Sequence, residues 1–234
     1  DALQLFLSKN INEVSQLTSK LNEYNRLRQD TEKKIFESAV KQIEEEHLAE
    51  NATITVGGHN WHHGVIGIVS SKITEMYFKP SIILSFEEDG MGTGSGRSIP
   101  GFDLHEALSK CTDTIEKFGG HSMAIGITIK KEKFEAFKKE FEEIAKKANI
   151  EEIVPIINID AKIDFSSINK EMVESLKELE PFGEGNKMPV FVFKNLKIDS
   201  IRALSEGKHL KLTLKEGNTV VNAIGFNMGL LAEE

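Results

Sequence analysis

Seven consecutive residues, Gly92-Thr93-Gly94-Ser95-Gly96-Arg97-Ser98, alternate glycine with side chains able to hydrogen-bond. Residues two apart on a strand face the same way, so the Ser95 hydroxyl and the Arg97 guanidinium could hold a phosphate between them. Glycines weaken a strand, and three in one mark a place where a ligand or another backbone must come close. The structural alternative is a hairpin edge packed under a helix. The Gly-x-x-x-x-Gly-Lys pattern of a Walker loop is absent. Gly119-Gly120-His121 reads as a turn between a helix end and a strand. Glycine past a helix terminus is commonly just a cap. This turn, however, delivers an imidazole to the end of a strand in an α/β sheet, where ligands tend to bind, and His121 can donate a hydrogen bond to a phosphate.

His59, Trp61, His62 and His63 fall within five residues. Their spacing is unlike the usual zinc patterns and no cysteine lies nearby, so a metal is the weaker reading. Trp61 offers a face on which a base could stack, or is an ordinary packing tryptophan. The sequence has no Asp-His-His, no Asp-x-Asp and no carboxylate cluster suited to Mg²⁺ or Mn²⁺; it also lacks a serine nucleophile elbow and a Cys-His signature. These residues are expected to bind a substrate and not to cleave it, with no metal ligands among them.

The elements that must carry these groups follow from periodicity. From about Asn10 to Glu46 there is no glycine or proline, and Val14, Leu17, Leu21, Tyr24 and Ile35 recur at three- and four-residue steps, which predicts one long amphipathic helix. The same steps land on Arg28, either a snorkelling cation on an exposed stretch or a residue pointing into a cleft between domains. Next come a strand (52–56), a Gly-Gly turn, the histidine-rich loop, an apolar helix ended by Pro80, a strand (81–86) and the glycine strand (91–98). A helix over 103–118 with Asp103 as N-cap, a strand (123–129) and a helix (131–148) complete the order βαββαβα, an α/β domain with a mixed sheet. Periodicity lapses at 149–155. Beyond it a strand (155–163), a short helix (169–179), a turn and three strands (190–203, 209–215, 219–225) predict a small β-barrel or sandwich.

The net charge of −8 argues mildly against nucleic acid, yet Pro181–Lys215 holds seven Lys and Arg against three Asp and Glu, a local balance of +4. Lys208 and Lys211 lie in that stretch. No apolar run approaches the roughly 18 residues of a membrane span, so no membrane segment is expected. One cysteine, Cys111, and no signal-peptide pattern make the cytoplasm the expected compartment. The start at Asp1 without methionine reads as that of a fragment.

Three stretches resemble the DHH-associated domain of the bacterial RecJ family: 61–69 (WHHGVIGIV), 94–108 (GSGRSIPGFDLHEAL) and 118–126 (FGGHSMAIG). Pro181-Phe182-Gly183-Glu184-Gly185-Asn186 followed by Pro189-Val190-Phe191 resembles the opening of that family's OB-fold domain, and Asn25-Arg26-Leu27-Arg28-Gln29 resembles part of its interdomain helix. His63 stands where the family pattern has proline, and the likeness is loose after Glu216. The resemblance implies an interdomain helical linker over 1–50, a DHH-associated α/β domain over 51–150 and an OB-fold, expected to be truncated, over 151–234.

It also implies the substrate-binding part of a metal-dependent 5′–3′ exonuclease specific for single-stranded DNA, acting in recombination and repair. Hydrolysis would use Mn²⁺ or Mg²⁺ in a DHH domain missing from these residues, and the fragment itself would bind no cofactor and be inactive alone. The resemblance assigns Ser95 and Arg97 to the 5′ phosphate end, and His121, Gly119, Gly120 and Arg28 to substrate phosphates. Trp61, His62, Lys208 and Lys211 are further candidate contacts. Single-stranded DNA is the expected partner, with a helicase or single-strand-binding protein as further candidates. Two alternatives remain: a phosphodiesterase of the same superfamily acting on short oligonucleotides or cyclic dinucleotides, which would generally lack the barrel, or a non-catalytic docking module.

Overall fold

The computed structural model describes residues 1–232 and divides into two compact units, one ending at Pro155 and one beginning at Ile156. In the first unit a short helix α1 (Ala2–Leu7) precedes the long helix α2 (Ile11–Glu45), which opens where Asn10 Oδ1 accepts from the Asn12 N–H at 3.0 Å. At roughly 1.5 Å per residue α2 is about 50 Å long. Its buried positions are Leu17, Glu32, Ile35, Ala39 and Ile43, so apolar packing falls mainly in its C-terminal part. The expected stripe fails at Tyr24, which is 50% exposed. No helix among the described residues is long and apolar enough to cross a membrane.

Strand β1 (Ile54–His59), helix α3 (His63–Tyr77) and strand β2 (Ser81–Phe86) form a parallel βαβ unit. Gly57 and Gly58 lie inside β1, opposite Leu84 and Ser85, and do not make the predicted turn. The reason is packing: the Trp61 indole lies against Gly58, where a Cβ would collide with it. Helix α3 stops at Phe78, which takes a left-handed conformation (φ 50°), ahead of Pro80.

Strand β3 (Met91–Arg97) is followed by helix α4 (Leu104–Ser109), strands β4 (Lys117–His121) and β5 (Ala124–Lys130), and helix α5 (Phe134–Lys147). Asp103 does cap α4, accepting from the Glu106 N–H at 2.9 Å, but the helix predicted to reach Phe118 ends at Ser109. Thr114 Oγ1 instead bonds Glu140 Oε2 at 2.6 Å, and residues 117–121 pair with β5 as a strand, so the order is βαββαββα. The three-residue spacing of Ile115 and Phe118 is a helical one and carries the predicted helix that far, whereas Gly119 and Gly120 just beyond disfavour a helix.

The sheet order is β1-β2-β3-β5-β4, with only β1 and β2 parallel. One face carries Ile82, Leu84 and Phe86 of β2 and Ile125, Ile127 and Ile129 of β5 against α4 and α5, with Phe137 and Phe141 fully buried. Removing either ring would cost about 3–5 kcal/mol. On the other face Val65, Ile66, Val69 and Ile73 of α3 and Ile35, Ala39 and Ile43 of α2 cover Ile54, Val56 and Ile83. That cover reaches only to β3, leaving much of β5 and β4 open on this side.

The second unit contains β6 (Ala161–Lys162), α6 (Lys170–Lys177), β7 (Phe191–Val192), β8 (Lys197–Leu204), β9 (His209–Glu216) and β10 (Thr219–Gly225). Helix α6 is capped by Asn169, whose Oδ1 accepts from the Met172 N–H at 2.8 Å. β6 pairs parallel with β7, and β8, β9 and β10 form an antiparallel meander. The long strand predicted over 190–203 is interrupted at Asn195, which has a φ of 61°. The sheets of the described residues are OB-like but do not close into a barrel.

Candidate nucleic-acid interface

Strand β3 separates its residues by face. Gly92, Gly94 and Gly96 turn toward α4 and α5, where a Cβ at Gly94 would stand 2.8 Å from Leu84 Cδ2 and 2.9 Å from Ile127 Cγ2. The expectation that these glycines admit a ligand is therefore corrected: they admit the large side chains of β2 and β5. Thr93, Ser95 and Arg97 lie on the opposite, partly open face.

Across that face the register makes two rows. Ser95 pairs with Gly126, which pairs with Gly119; Arg97 pairs with Ala124, which pairs with His121. Paired residues share a face. Arg97 and His121 are thus two strands apart, about 10 Å at the backbone, over a floor of Ala124, Gly126 and Gly119. A Cβ on Gly119 would meet nothing within 4 Å. Gly120 differs: its φ of 143° and the adjoining Ala124 carbonyl require glycine. The predicted Gly-Gly-His turn is the end of strand β4.

Arg97 Nη1 donates to Ser95 Oγ at 3.0 Å and to the Gly96 carbonyl at 2.8 Å. No carboxylate pairs with Arg97 among the described residues. Gly67 of α3 forms the wall of this site, since a Cβ there would be 3.2 Å from Ser95 Oγ and 3.3 Å from Arg97 Nη2. The arrangement offers a guanidinium, a hydroxyl and an imidazole above bare backbone, a donor set for anions.

Arg28 lies elsewhere in the unit, lining a recess with Tyr24, Leu27, Thr31, His62 and Gly64. Its Nη1 donates to Glu32 Oε2 at 2.6 Å, while Nε and Nη2 donate to Asn25 Oδ1 at 3.3 and 3.2 Å. Glu32 also pairs with Lys72 of α3. Burial alone would raise the Glu32 carboxyl, but Lys72 and Arg28 outweigh it and hold the group below the usual carboxylate range.

The histidine-rich segment divides its tasks. His62 caps α3, its Nδ1 accepting from the Gly64 N–H at 3.0 Å. His63 Nε2 meets Glu87 Oε1 at 2.8 Å, and His59 Nε2 meets Lys131 Nζ at 2.6 Å. Trp61 is half-buried against the α2–α3 side of the core, so much of its surface is engaged in packing. Among the described residues no group of three His, Cys, Asp or Glu side chains could hold a metal ion. Cys111 is buried, and burial, aided by Glu140, pushes its thiol up to about 12.

In the second unit Lys211 on β9 stands opposite Arg202 on β8, and Lys215 opposite Lys197. Lys208 is exposed in the β8–β9 turn. Between the two cationic pairs, Ser200 Oγ donates to Thr213 Oγ1 at 2.9 Å, and Thr213 Oγ1 donates to Asn222 Oδ1 at 3.1 Å. Ile224 extends this face beside Lys211, and Phe226 lies edge-on to His209 at 5.5 Å. Lys197, Arg202, Lys215, Thr213 and Gly67 were not singled out from sequence. The alternation Lys211-Thr213-Lys215 was the available signal for three members of the meander face.

Residues 48–147 match the family model of the DHHA1 domain and residues 159–234 that of the RecJ OB domain. A mixed-sheet DHHA1 domain followed by an OB domain is the class of protein that fold and match define. Over 99% of its length the chain is 33% identical to the single-stranded-DNA-specific exonuclease RecJ of Bacillus subtilis, covering 30% of that protein. Over 97% it is 31% identical to the same exonuclease of Haemophilus influenzae, covering 41%. The crystal structure of Thermus thermophilus RecJ with Mg²⁺ superposes with a TM-score of 0.77 at 28% identity, over 97% of this chain and 34% of that one. The chain carries a DHHA1 domain and a RecJ OB domain, and it spans about a third of the length of these relatives.

Proposed function

We propose that this chain is the strand-binding region of a 5′–3′ exonuclease specific for single-stranded DNA, acting in recombination and repair. The observation that carries the reading is the open face on which Ser95, Arg97 and His121 stand in register over Gly126, Ala124 and Gly119. Arg97, which pairs with no carboxylate among the described residues, would take a phosphate oxygen together with the Ser95 hydroxyl. His121 would donate to a neighbouring phosphate, and Gly119 would let the sugar–phosphate chain approach the backbone, while Gly120 would serve by shaping the strand end that presents His121. Arg28 would meet a further phosphate from its own recess, beside His62 and Gly64.

The meander face supplies the second contact. Lys208, Lys211, Arg202, Lys197 and Lys215 would neutralise phosphates, while exposed Phe226 offers a stacking surface. The OB domain match favours this reading over a cyclic-dinucleotide or short-oligonucleotide phosphodiesterase, whose substrate would have no use for a second unit. The Thermus structures hold Mg²⁺ or Mn²⁺, but the donor set described here suits anions, so hydrolysis and its metal ions belong to a DHH domain outside these 234 residues. A cytoplasmic setting, and a helicase or single-strand-binding protein as partner, go with the reading.

Fluorescence anisotropy of the chain with a 5′-phosphorylated single strand, a 5′-hydroxyl strand and a duplex, at two salt concentrations, tests it. Salt-sensitive preference for the single strand is expected, strengthened by the 5′ phosphate. Equal binding of all three, or none at low salt, would leave docking of a protein partner as the better description.

A further inference from the structure

We propose that Glu32 is a positioning residue that, with Asn25, fixes the Arg28 guanidinium for a phosphate; the inference rests on the strand-binding reading above. Glu32 is a carboxylate with only 8% of its side chain exposed, and both of its oxygens are engaged, one by Lys72 of α3 and one by Arg28. A tie between α2 and α3 would explain the Lys72 pair alone. It does not explain the treatment of Arg28, which is held from both sides by residues three before and four after it on its own helix. Three of its five N–H groups are committed to Asn25 and Glu32, leaving one on each terminal nitrogen.

Arg28 keeps 39% of its side chain exposed and lines a recess of about 450 Å³ that His62 and Gly64, at the start of α3, also line. An unrestrained arginine loses rotamer freedom when it grips an anion; a clamped one has already lost it. The buried acid therefore helps anion binding by organising the cation, although its own charge opposes an anion.

Those two effects have opposite signs, which makes the test sharp. Anisotropy with a 5′-phosphorylated oligothymidylate would compare the 234-residue chain with Glu32→Gln, Arg28→Ala and the double variant, with a thermal melt of each. Removing one negative charge from a chain of net charge −8 should, by electrostatics alone, tighten binding to a polyanion. Positioning predicts that Glu32→Gln weakens it, on the order of three- to tenfold, and that the double variant binds no worse than Arg28→Ala. Asn25→Ala, which removes the other half of the clamp at an exposed position, should weaken binding without lowering the melt, and it stands in if Glu32→Gln unfolds. Unchanged or tighter binding by Glu32→Gln overturns the inference. So does a loss of equal size with and without Arg28, which would make Glu32 only a tie between helices. If Arg97→Ala binds as well as the unsubstituted chain, the strand-binding reading itself falls, and this inference with it.

Discussion

Arg202 and Lys211 face each other directly across β8 and β9, two cations in register on an open face. Like charges opposite one another destabilise a sheet, so the pair opposes the fold locally while raising the positive potential of that face.

Replacing Lys211 with alanine should leave the melting temperature unchanged or slightly higher. It should also weaken binding across all single-stranded sequences and reduce the salt slope by about 0.7 if one phosphate contact is lost. Anisotropy over a salt series measures both, and an unaltered slope would remove Lys211 from the interface.

Arg97→Ala should cost a charge-assisted pair worth about 1.5–3 kcal/mol in binding, with the fold intact, because the side chain is half-buried and bonds only Ser95 and a carbonyl. Titration with 5′-phosphorylated and 5′-hydroxyl strands should show the loss falling more heavily on the phosphorylated one. Equal losses would move Arg97 away from the strand end.

Gly67→Ala separates stability from binding. Inside a helix the change gains up to about 1 kcal/mol of intrinsic propensity. The added methyl would stand 3.2–3.3 Å from Ser95 Oγ and Arg97 Nη2, crowding the atoms offered to a phosphate. Melting no lower than the parent together with weaker binding is the expected pair of results; intact affinity would show that the wall has room to spare.

Acid should loosen the α2–α3 contact. The Glu32 carboxyl lies below its ordinary value of 4.5 when folded. Its contribution to stability is therefore complete above that value and is lost as the pH falls through the folded pKa. Thermal melts between pH 7 and pH 3 should decline more steeply for the parent chain than for Glu32→Gln, and parallel curves would count against the ion triad.

Much of this architecture was legible in residue order. The limits of α2 followed from a stretch without glycine or proline closed by Asn10, and β2 followed from an apolar run between Pro80 and a turn. What escaped were places where two patterns coincide. Ile115 and Phe118 keep a helical step of three, although Ile115 lies before β4 and Phe118 within it, and only the pairing of 117–121 with β5 shows that the helix has already ended. Gly57 and Gly58 look like a turn because the rings that occupy their bare sides, Phe86 against Gly57 and Trp61 against Gly58, come from outside the strand's own pattern. The site divides similarly. Ser95, Arg97 and His121 announce themselves by residue type, but the bare floor between them depends on the register of β3, β5 and β4. The clamp on Arg28 was hidden because Asn25 and Glu32 look like ordinary solvated residues on a polar helix.

The alternation along β3 makes that strand a two-column record. Gly92, Gly94 and Gly96 answer to the protein's own interior, and Thr93, Ser95 and Arg97 to whatever arrives from solution. Drift at the first set is answerable to folding and drift at the second to the ligand. A descendant could therefore rewrite its ligand preference on every other residue without renegotiating its core.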